Sequence, residues 1–291
     1  MRSLYNRITI AKIVLGFVLT ALCALSAHVV LLQVLNVPFP ELSIFTLPSR
    51  YILRFVQTIA LFIFCQTASK ALGGSFIKKL VAIFVIVAML NESLFRADFM
   101  QAYCTTTWPT AWAHALIGNL PSLFTLAFTC AVVVACAPRA PLAWQKFACA
   151  ALIAAVSIFV VTPLLRAAMA PIMASLSNWA PKSEWCVLPY GAKILIPAYL
   201  SFAEPTLACF AAAILSSNGP RRAPLAQLVE FTLVIMALKT QLVTAFIYAI
   251  LINGSLLSSV ISEGQFSVEA MTLAVLSWVT IEWARSKQKL A

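Results

Sequence analysis

Aspartate occurs once in this chain of 291 residues, at position 98, and histidine twice, at 28 and 114. Charged residues of all kinds make up 10% of it, against roughly 25% in soluble globular proteins. These scarcities exclude a good deal of chemistry. A lone aspartate leaves no pair for aspartyl proteolysis or for metal–pyrophosphate chemistry. HExxH, GxSxG and P-loop motifs are all missing, as is any CxxC or Cys/His spacing that would hold a metal. No cofactor and no metal is therefore expected. The net charge is +11, yet no basic stripe interleaved with exposed aromatics lies in a soluble region, so no nucleic-acid partner is expected either.

What the chain has is apolar surface. Hydrophobic residues make up 62% of it and the mean hydropathy is +0.96. With so little polar surface, a water-soluble fold would expose apolar patches everywhere, so the lipid bilayer is the natural solvent. About 20 apolar residues cross a hydrocarbon core. Eight such stretches are found, near Ile8–Leu35, Tyr51–Ser69, Leu80–Phe95, Ala111–Ala137, Phe147–Met169, Tyr190–Ser216, Leu225–Ile252 and Val268–Arg285. They lack the alternation of barrel strands. The expected fold is thus all-α: a polytopic transmembrane helix bundle of about eight spans, forming one integral membrane domain over residues 1–291.

Basic residues set the orientation. Arg2, Arg7, Lys12, Lys70, Lys78, Lys79, Arg139, Lys146, Arg221, Arg222, Arg285, Lys287 and Lys289 all fall on one set of alternate connections. The opposite connections carry Arg50, Arg54, Arg96 and Lys182, offset by Glu41, Asp98, Glu184, Glu263 and Glu269. Both termini are accordingly expected in the cytoplasm, with the protein in the cell inner (plasma) membrane. The first apolar run continues past Ala24–Ala27 to Val37, too far for a signal-peptide core, and reads as a retained helix.

Pro138-Arg139-Ala140-Pro141-Leu142-Ala143 returns as Pro220-Arg221-Arg222-Ala223-Pro224-Leu225-Ala226. Similarity fades beyond the turn, so this reads as the shared composition of cytoplasmic helix starts and not as a duplication. Tyr103, Trp108, Trp112, Trp179, Trp185 and Tyr190 gather on the outer side as an interfacial belt. Ser175–Pro189 reads as a short element lying flat on that surface. Of eight cysteines only Cys104 and Cys186 fall in loops, both on the outer face, where an oxidising compartment permits a bridge.

Ionisable groups inside a span need a partner, a wet cavity or a function. Glu204 and Lys239 lie mid-span on sequential antiparallel helices, and Gln241 follows closely. At equal depth Glu204 and Lys239 are expected to pair, as a pin between helices or as a substrate-facing site. Glu92 and Arg96 stand four residues apart on one expected helical face, and Glu282 and Arg285 three apart, so each reads as a local ion pair. His114 and Asn119 are expected to join Glu92 and Arg96 in an outer-leaflet polar cluster. The segment Asn91-Glu92-Ser93-Leu94-Phe95-Arg96 resembles the Glu-x-x-x-Arg element of the CAAX-protease-and-bacteriocin-processing family over one helix. That family pairs two glutamates, where Asn91 stands here, and uses histidines on two later helices, where only His114 follows. The resemblance does not extend to membership.

Three function classes fit. The first is a transporter or permease moving a small solute or lipid past Glu204, Lys239 and Gln241. The second is a non-catalytic membrane subunit, immunity or assembly factor bound to a partner subunit. The third is an intramembrane enzyme built on Glu92, Arg96 and His114. Transport ranks first, with the subunit reading close behind because the spans hold so few polar residues.

Overall fold

Without water at membrane depth, an apolar chain must satisfy its backbone N–H and C=O groups internally, and helices do so locally. A computed structural model describes residues 2–40, 45–140, 142–182, 184–217, 223–251 and 256–285, and every regular element among them is helical. Glu41, Pro141, Pro220, Arg221, Arg222, Lys287 and Lys289 lie outside the described residues. In chain order the helices are α1 (Arg2–Gln33), α2 (Leu47–Leu72), α3 (Phe76–Leu90), α4 (Arg96–Tyr103), α5 (Trp108–Cys136) and α6 (Ala143–Val156). There follow α7 (Thr162–Ser175), α8 (Ala192–Ser201), α9 (Ala203–Ser216), α10 (Pro224–Leu238), α11 (Gln241–Leu251) and α12 (Leu256–Arg285). Among the described residues six helical stretches are long and apolar enough to cross a membrane, with a seventh if the bent pair α10–α11 is one span.

Two expected spans are broken. The third ends at Leu90 and not at Phe95. The seventh bends by 54° between Leu238 and Gln241. Both helices stop in the same way, with the second residue past the end in the left-handed region: Glu92 at φ 59° and Thr240 at φ 63°. At α3 the backbone forms a complete Schellman closure, Glu92 N–H to Met89 O and Ser93 N–H to Ala88 O, each 2.9 Å. α6 and α7 are joined by a π-helical turn over Ser157–Val161, just before Pro163. Proline lacks the N–H that would continue the ladder, and the turn absorbs the mismatch. The last helix starts at Leu256, well before the expected Val268, which moves Glu263 and Glu269 from an outer loop into the helix. Past the end of α7, the described residues of 176–189 hold no helix beyond the single turn Ser177–Trp179. They form instead a loop tied to the end of α4 by the disulfide Cys104–Cys186, with Cα atoms 5.3 Å apart.

The packing has an internal order. A single shift of register aligns Thr58-Ile59-Ala60-Leu61-Phe62 on α2 with Thr206-Leu207-Ala208-Cys209-Phe210 on α9. The same shift aligns Ser69 with Ser217, Leu80-Val81 with Leu228-Val229, Leu90 with Leu238, Leu94 with Leu242 and Ala97 with Ala245. Helix contacts pair off accordingly. α3 lies against α9 and α5 as α10 lies against α2 and α12, α4 lies on α5 as α11 on α12, and α2 meets α6 as α9 meets α1. Thr58 and Thr206 are both fully buried, each bonding the carbonyl four residues back (2.7 and 2.8 Å). The chain is an internal duplication, in a register different from that of the Pro138–Ala143 turn.

Candidate functional site at the meeting of two broken helices

A helix that stops in the membrane leaves carbonyls without partners. Here each break supplies the other. Lys239, just past the end of α10, sends its ammonium group to Leu90 O at the end of α3 (3.0 Å). Asn91, just past the end of α3, donates to Leu238 O at the end of α10 (3.1 Å), and Gln57 on α2 donates to the same oxygen (2.7 Å). The cation sits where the partial negative charge of a helix C-terminus favours it.

Charge balance is met at the same place. Lys239 Nζ lies 2.9 Å from Glu92 Oε1 and 3.8 Å from Glu269 Oε1, while Arg96 pairs with Glu92 Oε2. Lys239 and Glu269 are nearly sealed, with side chains 7% and 6% exposed. Two cations and two carboxylates so form one network across α3, α4, α10 and α12.

Glu204 does not pair with Lys239. Its carboxylate accepts free N–H groups from the end of the five-residue gap before α4, Leu94 (3.0 Å) and Phe95 (3.3 Å), and from the first residue of α4, Arg96 (2.6 Å). A carboxylate at a helix N-terminus is favoured both by these donors and by the helix dipole. Glu92 and Arg96 do pair, but across the turn that separates α3 from α4 and not on a common helical face. Asn119 reaches the cluster, donating to Ser93 O (2.8 Å) and Asp98 Oδ2 (3.2 Å). Asp98 is accordingly buried on α4, not a loop charge. His114 is half-buried and makes no hydrogen bond to Glu92, Arg96 or any other described residue, so it does not join them. Gln241 accepts at its backbone oxygen from Ser267, while its side-chain oxygen is buried with no partner. Glu282 and Arg285 do not pair; Arg285 donates to Ser217 Oγ.

Beside the crossing lies a cavity of about 560 Å³ between α2, α5, the π turn and both breaks. Asn91 and Ser93 from the first break, Thr240 from the second, and Ile158, Thr162 and Pro163 at the π turn all face it. Gln57, Arg50, Arg54 and Arg166 complete its polar wall. Glu269 and the cavity arginines Arg50 and Arg54 are not legible as site residues in the sequence. Glu269 reads as a loop charge, although no proline separates Val260 from Arg285. Arg50 and Arg54 read as flank charges, although Arg50, Arg54 and Gln57 recur at helical spacing.

No protein-family model, curated protein or solved structure matches this chain.

Proposed function

We propose that the chain is a multi-pass inner-membrane transporter or permease for a small solute or lipid. It crosses eight times with both termini cytoplasmic, because α3–α4 is the duplicated counterpart of α10–α11 and counts as a crossing with it. One observation supports transport above the other classes: three irregular backbone segments converge on one cavity. Irregular backbone survives at membrane depth only where protein buries it or a wet cavity meets it. Discontinuous helices whose ends face a central site are the transporter solution. Lys239 links the two halves, Gln241 offers a free acceptor beside the second break, and Glu204 positions α4. An enzyme built on Glu92, Arg96 and His114 lacks its histidine.

Alternating access is the property that distinguishes a carrier from a static subunit. Ser93→Cys, in a chain whose six unbridged cysteines are alanine, places one thiol on the cavity wall. Membrane-impermeant maleimide should label it in right-side-out and in inverted vesicles. Labelling confined to one orientation overturns transport in favour of a non-catalytic subunit.

A further inference from the structure

The cavity has a chemical sign. Arg50, Arg54 and Gln57 follow one another at steps of four and three, so one face of α2 carries two guanidinium groups to its wall. Arg166 brings a third from α7. Arg54 Nη1 donates to Gln57 Oε1 (2.7 Å) and Arg50 Nε to Phe45 O (3.0 Å), both neutral acceptors. Among the described residues Arg166 bonds to nothing and no carboxylate lines the cavity. Unpaired cations this far from the basic cytoplasmic turns are not explained by the sidedness rule. Three cations gathered on one cavity wall call for an anion, a wet cavity or a function.

The duplication sharpens the point. Shifting register from α2 to α9 puts Phe202 where Arg54 stands. Phe202 is fully buried, and the Arg96 guanidinium lies 5.0 Å from its ring centre. One half has filled the position with a ring and the other keeps a cation facing open space, so the arginine wall is a specialisation of one half.

Resting on the transport reading, we infer that this cavity takes a phosphate-bearing ligand, with its oxyanion held by Arg54 and Arg166 and its apolar part against Leu123, Leu126 and Ile158. Guanidinium forks match a tetrahedral oxyanion in charge and in bidentate geometry. A phospholipid head group and a soluble organic phosphate share this chemistry.

The test is equilibrium binding to the full chain in phosphatidylcholine nanodiscs, titrated with phosphatidylglycerol in one arm and glycerol 3-phosphate in the other. Wild type is expected to bind at least one of them, and the responding arm names the source. Arg166→Gln, at an exposed site that leaves the fold intact, should weaken that binding about tenfold. Arg54→Lys, which keeps the charge and loses the fork, should fall between the two. Binding of neither probe, or Arg166→Gln and Arg54→Lys binding as wild type, overturns the inference. Because no transport is measured, one-sided labelling of Ser93→Cys with binding intact removes only the transport reading. Two-sided labelling without binding removes only this one.

Discussion

Glu204, itself buried, answers three backbone donors with one carboxylate. Charge-assisted hydrogen bonds of this kind contribute roughly 1.5–3 kcal/mol, and a buried donor left unpaired costs a further share. In Glu204→Gln the amide keeps one accepting oxygen and turns an NH₂ group toward the remaining N–H. Thermal unfolding in detergent should show a loss of about 2 kcal/mol, with Glu204→Asp less affected than Glu204→Gln. An unchanged midpoint for Glu204→Gln would mean that the carboxylate is not what closes the gap before α4. Sequence placed Glu204 and Lys239 at one depth and so expected them to pair. Depth follows from counting residues along a span; the direction a side chain faces does not, and at this site facing decided the partners. Lys239 turns to Glu92, Glu269 and Leu90 O, and Glu204 to backbone.

Where helices run unbroken, their existence was legible, because apolar length at low charge leaves a chain in lipid no other regular structure. The breaks were not. A helix ending in a left-handed residue normally announces itself with glycine, whereas here the positions are Glu92 and Thr240. A β-branched threonine there is an outlier that no local rule anticipates, and it persists because the partner break satisfies the carbonyls it frees. Close approach does have a local sign. α1 lies along α12, and Gly16 faces Thr280 so tightly that a Cβ at position 16 would overlap the threonine side chain. Small residues at such crossings let backbones pack by van der Waals contact, the main attraction between helices in lipid. Gly16→Ala should destabilise by about 1–3 kcal/mol, and adding Thr280→Ala should recover most of that loss. Unfolding of the single and double variants measures both. Additive losses would show that the two positions do not touch.

At the scale of the molecule, duplication and sidedness constrain one another. Repeats with an even number of crossings enter the membrane from the same side, and odd-numbered repeats are inverted. Lys78 and Lys79 stand in the first turn of α3, which the basic-residue bias would hold on the cytoplasmic side. The repeat is hard to read in the sequence, because the conspicuous likeness of Pro138–Ala143 to Pro220–Ala226 is one that composition alone produces. The true register is carried by scattered core positions such as Thr58 and Thr206, visible only once the packing partners pair off. Length and hydropathy leave α3–α4, at 15 and 8 residues, short of a span. If α3–α4 crosses as its counterpart does, the disulfide-bearing end of α4 lies on the oxidising side and Lys79 on the reducing one. Alkaline phosphatase, active only outside the cytoplasm, should then be inactive when fused after Lys79 and active when fused after Thr107. If α3–α4 merely dips into the membrane and returns, both fusions report the same side. That result would also dissolve the equivalence of the two halves, because the segments linked by the shared register would then enter and leave the bilayer differently.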